Sequence, residues 1–141
     1  MLGAIAGDII GSVYELNNIT RTDFPLFDPN CHFTDDTVMT VAVADAILTH
    51  ADYGGKLREW YRLYPQRGYG PRFRKWAASG RIGQGASKGN GSAMRVSPIG
   101  FAFHTLEEVL AQARLTAIPS HNTPEAIGGA QAVASAVFLA R

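Results

Sequence analysis

Cysteine is nearly missing from this sequence, and the single thiol, Cys31, closes no internal disulfide. That usage fits a reducing compartment, so the cytoplasm is the expected location. Net charge is nearly missing too. Thirteen basic residues against twelve acidic ones leave +1, too weak a field to hold nucleic acid or an anionic membrane, so an anionic ligand must be held locally. There is no long uninterrupted apolar run. The opening stretch MLGAIAGDIIGSVYE is apolar, but it has no basic leading region and carries Asp8 and Glu15. It is therefore expected neither to direct secretion nor to insert in a membrane. Sustained period-two alternation is absent as well, as is any Val- or Ile-rich run bounded by turn signals. Both absences argue against strands and for an all-α class.

What is present is the balance of a folded protein. At 141 residues and 15.2 kDa, with 46% hydrophobic and 18% charged residues, the chain is long enough to bury a core as a single domain over 1–141. Ile5, Ile9, Ile10 and Val13 recur at three- and four-residue steps, which predicts a helix over 2–15 with that face buried. Gly3, Gly7 and Gly11 lie on another face. Each weakens a helix by roughly 1 kcal/mol, so tight packing against a neighbour is expected there. Residues 16–33 are rich in Asn, Asp and Pro and read as a loop.

The segment from Asp36 to His50 is apolar nearly all the way round, the mark of an enclosed helix. Two short helices are expected over 55–64 and 71–78, with Trp60, Tyr61, Tyr64, Phe73 and Trp76 in the core and PQRGYGP between them. A glycine-rich run, GRIGQGASKGNGSAMR, is too flexible for a helix interior and is the longest candidate binding loop. Thr105 and Glu108 have capping-box spacing before a stripe of Leu106, Val109, Leu110 and Ala113. Thr123 and Pro124 suit the N-cap and first position of a last helix, which reaches Arg141 without a stop signal.

Two carboxylates and two hydroxyls crowd together in Phe33-Thr34-Asp35-Asp36-Thr37, at the entry to the enclosed helix. Hard cations such as magnesium want oxygen ligands, and a Thr-Asp-Asp run can offer three. The same residues also suit an ordinary N-cap, in which Asp35 or Asp36 accepts backbone N–H bonds beside the helix dipole. Glu15, ending a helix whose other faces are carbon, calls for a partner, a metal or a catalytic role.

The glycine run matches neither common nucleotide fingerprint. Lys88 is followed by Gly89 instead of Ser or Thr, and no G-x-G-x-x-G occurs. Glycines still let backbone N–H groups approach a phosphate, and Ser92 opens a segment able to turn helical. His121, just before a helix start, suits either a ligand contact or a bond to its own cap. Cys31 and His32 are neighbours that point apart in an extended chain, a poor nucleophile pair.

Taken in order, these segments resemble the ADP-ribosylglycohydrolase family, also called the DraG-like or ARH family. The resemblance is carried by Gly3-Ala4-Ile5-Ala6-Gly7-Asp8 with Gly11 and Glu15, and by Phe33-Thr34-Asp35-Asp36-Thr37 with Met39-Thr40. It continues through Gly89-Asn90-Gly91-Ser92-Ala93-Met94-Arg95 with Pro98-Ile99-Gly100, and ends at Ser120-His121. It implies a compact all-α fold around two magnesium ions, or manganese in some members, that cleaves ADP-ribosyl glycosidic bonds. Thr34, Asp35 and Asp36 would be metal ligands, Glu15 and Asp35 the catalytic carboxylates. Gly89, Asn90, Gly91, Ser92 and Met94, with His121, would hold the ribose and diphosphate.

The substrate would be an ADP-ribosylated protein or a small ADP-ribose conjugate. Family members are considerably longer and take further metal ligands from an Asp-x-Asp-Thr motif near the C-terminus, which this chain lacks. It is therefore expected to represent the N-terminal half of such a protein. Its alternative is a non-catalytic protein that self-associates as a homo-oligomer and binds ADP-ribose or a cation weakly.

Overall fold

The structure is a computed structural model and describes residues 1–79 and 85–141. Among these residues every regular element is helical: α1 (Leu2–Gly11), a 3-10 turn (Ser12–Tyr14), α2 (Asp35–Thr49), α3 (Tyr53–Leu63), α4 (Pro71–Ala78), α5 (Gly91–Met94), α6 (Ser97–Ala102), α7 (Leu106–Ala117) and α8 (Pro124–Ala140). The all-α expectation is met.

Local chemistry sets most of the boundaries. Thr34 caps α2, its hydroxyl accepting from the Asp36 amide, and His50 ends that helix in the left-handed region at φ 53°. Asp52 caps α3 by accepting from the Gly55 amide at 2.6 Å. Pro71 opens α4 over the range expected, and the Thr105–Glu108 capping box opens α7 and Thr123 with Pro124 opens α8, both as their spacing predicts.

One boundary differs from expectation, and two short helices follow the glycine-rich run. The first helix stops at Gly11 and tightens into a 3-10 turn, because the Ser12 hydroxyl folds back onto the Ile9 carbonyl at 2.8 Å while accepting from the His32 amide. Residues 91–94, at the end of the glycine-rich run, form α5, in keeping with Ser92 opening a segment able to turn helical, and residues 97–102 beyond it form α6. Residues 80–84 of that run lie outside the described residues.

α2 is the central element. Val38, Met39, Ala42 and Val43 are buried around its circumference and join Leu57, Phe73, Trp76, Ile99, Val109, Ala113, Ala130 and Ala134 in one core. α6 meets α8 at very close range: a Cβ on Gly100 would lie 2.7 Å from the Ala134 carbonyl oxygen, so only glycine fits. Arg141 ties the end of α8 to the end of α6 by donating to the carbonyls of Phe101 and Phe103.

α1 behaves differently from its sequence pattern. Ile5, Ile9, Ile10 and Val13 are only half-buried, and no residue of α1 is buried. Nothing comes within 4 Å of a Cβ built on Gly3, Gly7 or Gly11. The glycine face expected to pack tightly is open.

Candidate functional site

α1 contributes its one acid to the start of α2. Asp8 Oδ2 accepts from the amides of Thr34 and Thr37 at 2.8 and 3.2 Å. The Thr34 hydroxyl donates to Asp8 Oδ1, and the Thr37 hydroxyl to Asp8 Oδ2, both at 2.5 Å. Orphan first-turn N–H groups, for which a cap by Asp35 or Asp36 was one of two readings, are therefore satisfied by Thr34 and by a carboxylate from another helix. The carboxylates of Asp35 and Asp36 accept only from their own backbone amides among the described residues.

The two neighbouring acids then face different ways. Asp36 joins Asp8 and Glu15, one carboxylate oxygen of each lying within 4.8 Å of the others. Asp35 lies beside the 67–70 turn. Its amide donates to the Arg67 carbonyl at 2.6 Å, and a Cβ on Gly68, at φ +93°, would sit 3.3 Å from its Oδ1. Like charges and burial act on both. Burial first, then Asp36, Glu15 and Asp8, push the Asp35 carboxyl up to about 7. Burial, then Asp8 and Glu15, raise Asp36.

Such a cluster is stabilised by a cation. Magnesium–oxygen bonds of about 2.1 Å put opposite ligands about 4.2 Å apart, so small side-chain rotations would close these carboxylates around an ion. Oxygen donors only, of matching spacing and mutual repulsion, fit a hard divalent metal. Asp8 was the residue sequence reasoning left without a role. Its signal was available: it stands seven residues before Glu15, two helical turns along one face.

Asp35 also lines a cavity of about 100 Å³ whose far wall is the glycine-rich segment and His121. The Gly85 amide donates to the Pro119 carbonyl and the Ser87 amide to the Ser120 carbonyl, while the Asn122 amide donates back to Gly85. A Cβ on Gly85 would come within 2.6 Å of the Ser120 carbonyl oxygen, so glycine permits this contact. It brings His121 against the 89–91 stretch, far away in sequence.

Gly89, Asn90, Gly91, Met94 and His121, all singled out from the sequence, line the cavity with Tyr69, Phe73, Ser87 and Arg95. Ser92 does not. It is fully buried with its hydroxyl donating to the Ala126 carbonyl at 2.9 Å, tying α5 to α8. Thr34 is buried, and its hydroxyl is committed to Asp8, leaving an oxygen lone pair for any metal. Cys31 and His32 take no part: Cys31 Sγ faces the Ile10 carbonyl and His32 Nδ1 the Asn30 carbonyl.

The profile of the ADP-ribosylglycohydrolase family matches residues 1–140, and the chain belongs to that family. It is 31% identical to ADP-ribosylhydrolase ARH3 of Mus musculus, over 99% of this chain and 47% of that protein. Identity to ADP-ribosylhydrolase ARH3 of Bos taurus is 32%, over 99% and 48%. An uncharacterized protein of Archaeoglobus fulgidus is 32% identical, over 97% and 53%. The chain thus spans about half the length of the curated relatives it matches.

Proposed function

We propose that this chain supplies the first half of a metal-dependent hydrolase that cleaves the glycosidic bond between ADP-ribose and a protein side chain or small-molecule acceptor. The observation that carries it is the continuity of the two compartments: Asp35 adjoins the Asp8–Glu15–Asp36 cluster on one side and the glycine-lined cavity on the other.

Thr34, Asp35 and Asp36 would hold magnesium, or manganese, with Asp8 and Glu15 at the same cluster, in a site of two ions when complete. The metal would supply electrophilic orientation of the ribose hydroxyls and charge stabilisation as an oxocarbenium-like centre develops. Glu15, the most exposed of the cluster's acids, would take a proton from the attacking water, and Asp35 would hold that water in line. Asp8 keeps the first turn of α2 in place by binding both threonines. The backbone of Gly89, Asn90 and Gly91, with Met94 and His121, holds the ribose and diphosphate; Ser92 acts through its backbone and its anchor to α8.

The near-neutral charge of the chain supports a small or conjugated ADP-ribosyl substrate over a nucleic acid. Among the described residues no helix is long and apolar enough to cross a membrane. The lone cysteine fits a cytoplasmic location, and exposed Leu2, Leu48, Phe101 and Leu139 near the ends of α1, α2, α6 and α8 support self-association.

Calorimetric titration with ADP-ribose tests the proposal. Binding is expected with magnesium and to weaken about tenfold or more, 1.4 kcal/mol, in Asp36→Asn or with a chelator. Equal binding in all three conditions overturns it. Binding without release of ADP-ribose from a conjugate would instead make the chain a non-catalytic ADP-ribose binder.

A further inference from the structure

Arg95, at the end of α5, is fully buried, and so are Ser120 and His121 after α7. Arg95 Nη2 donates to the Thr116 carbonyl at 2.5 Å and to Ser120 Oγ at 2.9 Å. Ser120 Oγ lies 2.7 Å from His121 Nδ1. No carboxylate pairs with the guanidinium among the described residues.

The direction of this chain follows from donor and acceptor counts. A guanidinium only donates, so Ser120 Oγ accepts from it and keeps one hydrogen to place. Were Nδ1 protonated, Oγ would receive two donors and its own hydrogen would be buried without an acceptor. With the hydroxyl donating to Nδ1, the Ser120 hydrogen and the Nδ1 lone pair are both satisfied and the ring proton sits on Nε2, although Arg95 Nε and Nη1 are buried without a partner among the described residues. Burial, and then the Arg95 charge, hold the His121 pKa down to about 4, so the ring stays neutral. The Nε2 edge is left open by a glycine: a Cβ on Gly91 would lie 3.0 Å from both Cε1 and Nε2. Nε2 has no partner among the described residues, and its ring lines the cavity.

We infer that Arg95 and Ser120 are positioning residues that lock His121 in its Nε2–H tautomer, so that the cavity greets its ligand with a neutral hydrogen-bond donor. That donor selects an acceptor oxygen, such as a ribose hydroxyl or a phosphate oxygen, and disfavours a donor group at the same point. Only the ligand's identity rests on the function proposed above; the tautomer does not.

Long-range proton–nitrogen correlation spectra of the ¹⁵N-labelled chain at neutral pH, without ligand, read the tautomer directly. His121 is assigned by the signals lost in His121→Gln. Its Nδ1 is expected at the shift of an unprotonated ring nitrogen and its Nε2 at that of a protonated one. Ser120→Ala is expected to move both toward intermediate, averaged shifts, and Ser120→Thr to restore the wild-type pattern.

A protonated Nδ1 in the wild type overturns the inference, whether or not the variants fold. An unchanged pattern in folded Ser120→Ala does so too. Addition of ADP-ribose with magnesium is then expected to shift the Nε2 signal. The expected tautomer with no such response would leave the relay standing and count against ADP-ribose as the ligand.

Discussion

Asp8 holds Thr37 at two points, its Oδ2 accepting from the amide at 3.2 Å and from the hydroxyl at 2.5 Å. The contact spans 29 residues and pins α1 to the first turn of α2, where the acids of the site begin. With the two bonds from Thr34, four donors converge on one carboxylate, and hydrogen bonds to a charged group contribute about 1.5–3 kcal/mol each. Asp8→Asn keeps the shape but loses the charge and an acceptor. It is expected to lower stability by about 2 kcal/mol and to weaken magnesium binding. Urea denaturation with and without magnesium checks both; unchanged stability would mean that the anchor is dispensable.

The raised Asp35 pKa makes the metal-free chain sensitive to pH in a definite direction. An unfolded Asp35 loses its proton near 3.8, whereas the folded one keeps it to about 7. Between these values the native state binds more protons, so this group makes stability fall as pH rises; below the window its penalty is absent and above it constant. Asp35→Asn is expected to flatten the fall, and magnesium to offset it most above pH 7. The measurement is a series of denaturation midpoints from pH 4 to 8. With few protein ligands per ion, magnesium affinity is expected to be no tighter than about 10 µM.

Glu15 is the exposed member of the acidic cluster and the one assigned to the attacking water. In any preparation that releases ADP-ribose, Glu15→Gln is expected to reduce turnover by about two orders of magnitude, the scale of a lost general base. Folding is expected to survive, since among the described residues no other residue's hydrogen bond ends on this side chain. Asp35→Asn is expected to do similar damage that higher magnesium partly repairs. Steady-state rates against magnesium concentration separate the two; normal turnover in Glu15→Gln would remove the role given to it.

Two glycines with opposite surroundings give a packing test. Gly100→Ala forces a Cβ to within 2.7 Å of the Ala134 carbonyl oxygen and Val137, and overpacking of this kind costs about 1–3 kcal/mol. Gly7→Ala meets nothing within 4 Å, and the gain in helix propensity is expected to stabilise by up to about 1 kcal/mol. Thermal melts of both variants check the signs. Destabilisation by Gly7→Ala would show that the open face of α1 is covered in solution, as self-association would require.

Much of the architecture was legible because its signals are local. The caps at Thr105 and Thr123, the Pro71 and Pro124 starts, and the enclosed character of α2 each depend on neighbours within about a turn. Where a boundary was misjudged, a side chain had been recruited from elsewhere. Ser12 ends α1 while also holding the His32 amide, 20 residues on. The apolar stripe of α1 was real, yet periodicity says only which face is apolar and not how much of it a neighbour covers.

At the site, residue types left an ordinary cap and a plain loop open, and it was the ordered resemblance to the family that marked the Thr34–Asp36 run, Glu15, the 89–94 segment and His121 as a set. Their division into two compartments was decided by packing. Adjacent acids at the start of a helix project about 100° apart, so Asp36 turns to Asp8 and Glu15 while Asp35 turns to the cavity. Which way each points depends on where α1 and the 67–70 turn lie. The roles of Asp8 and of the buried Arg95–Ser120–His121 chain arise from contacts between residues 21 to 29 positions apart, or from burial that depends on several helices closing together. Those contacts carry no local periodicity, because they exist only once the core has brought distant segments within hydrogen-bond range.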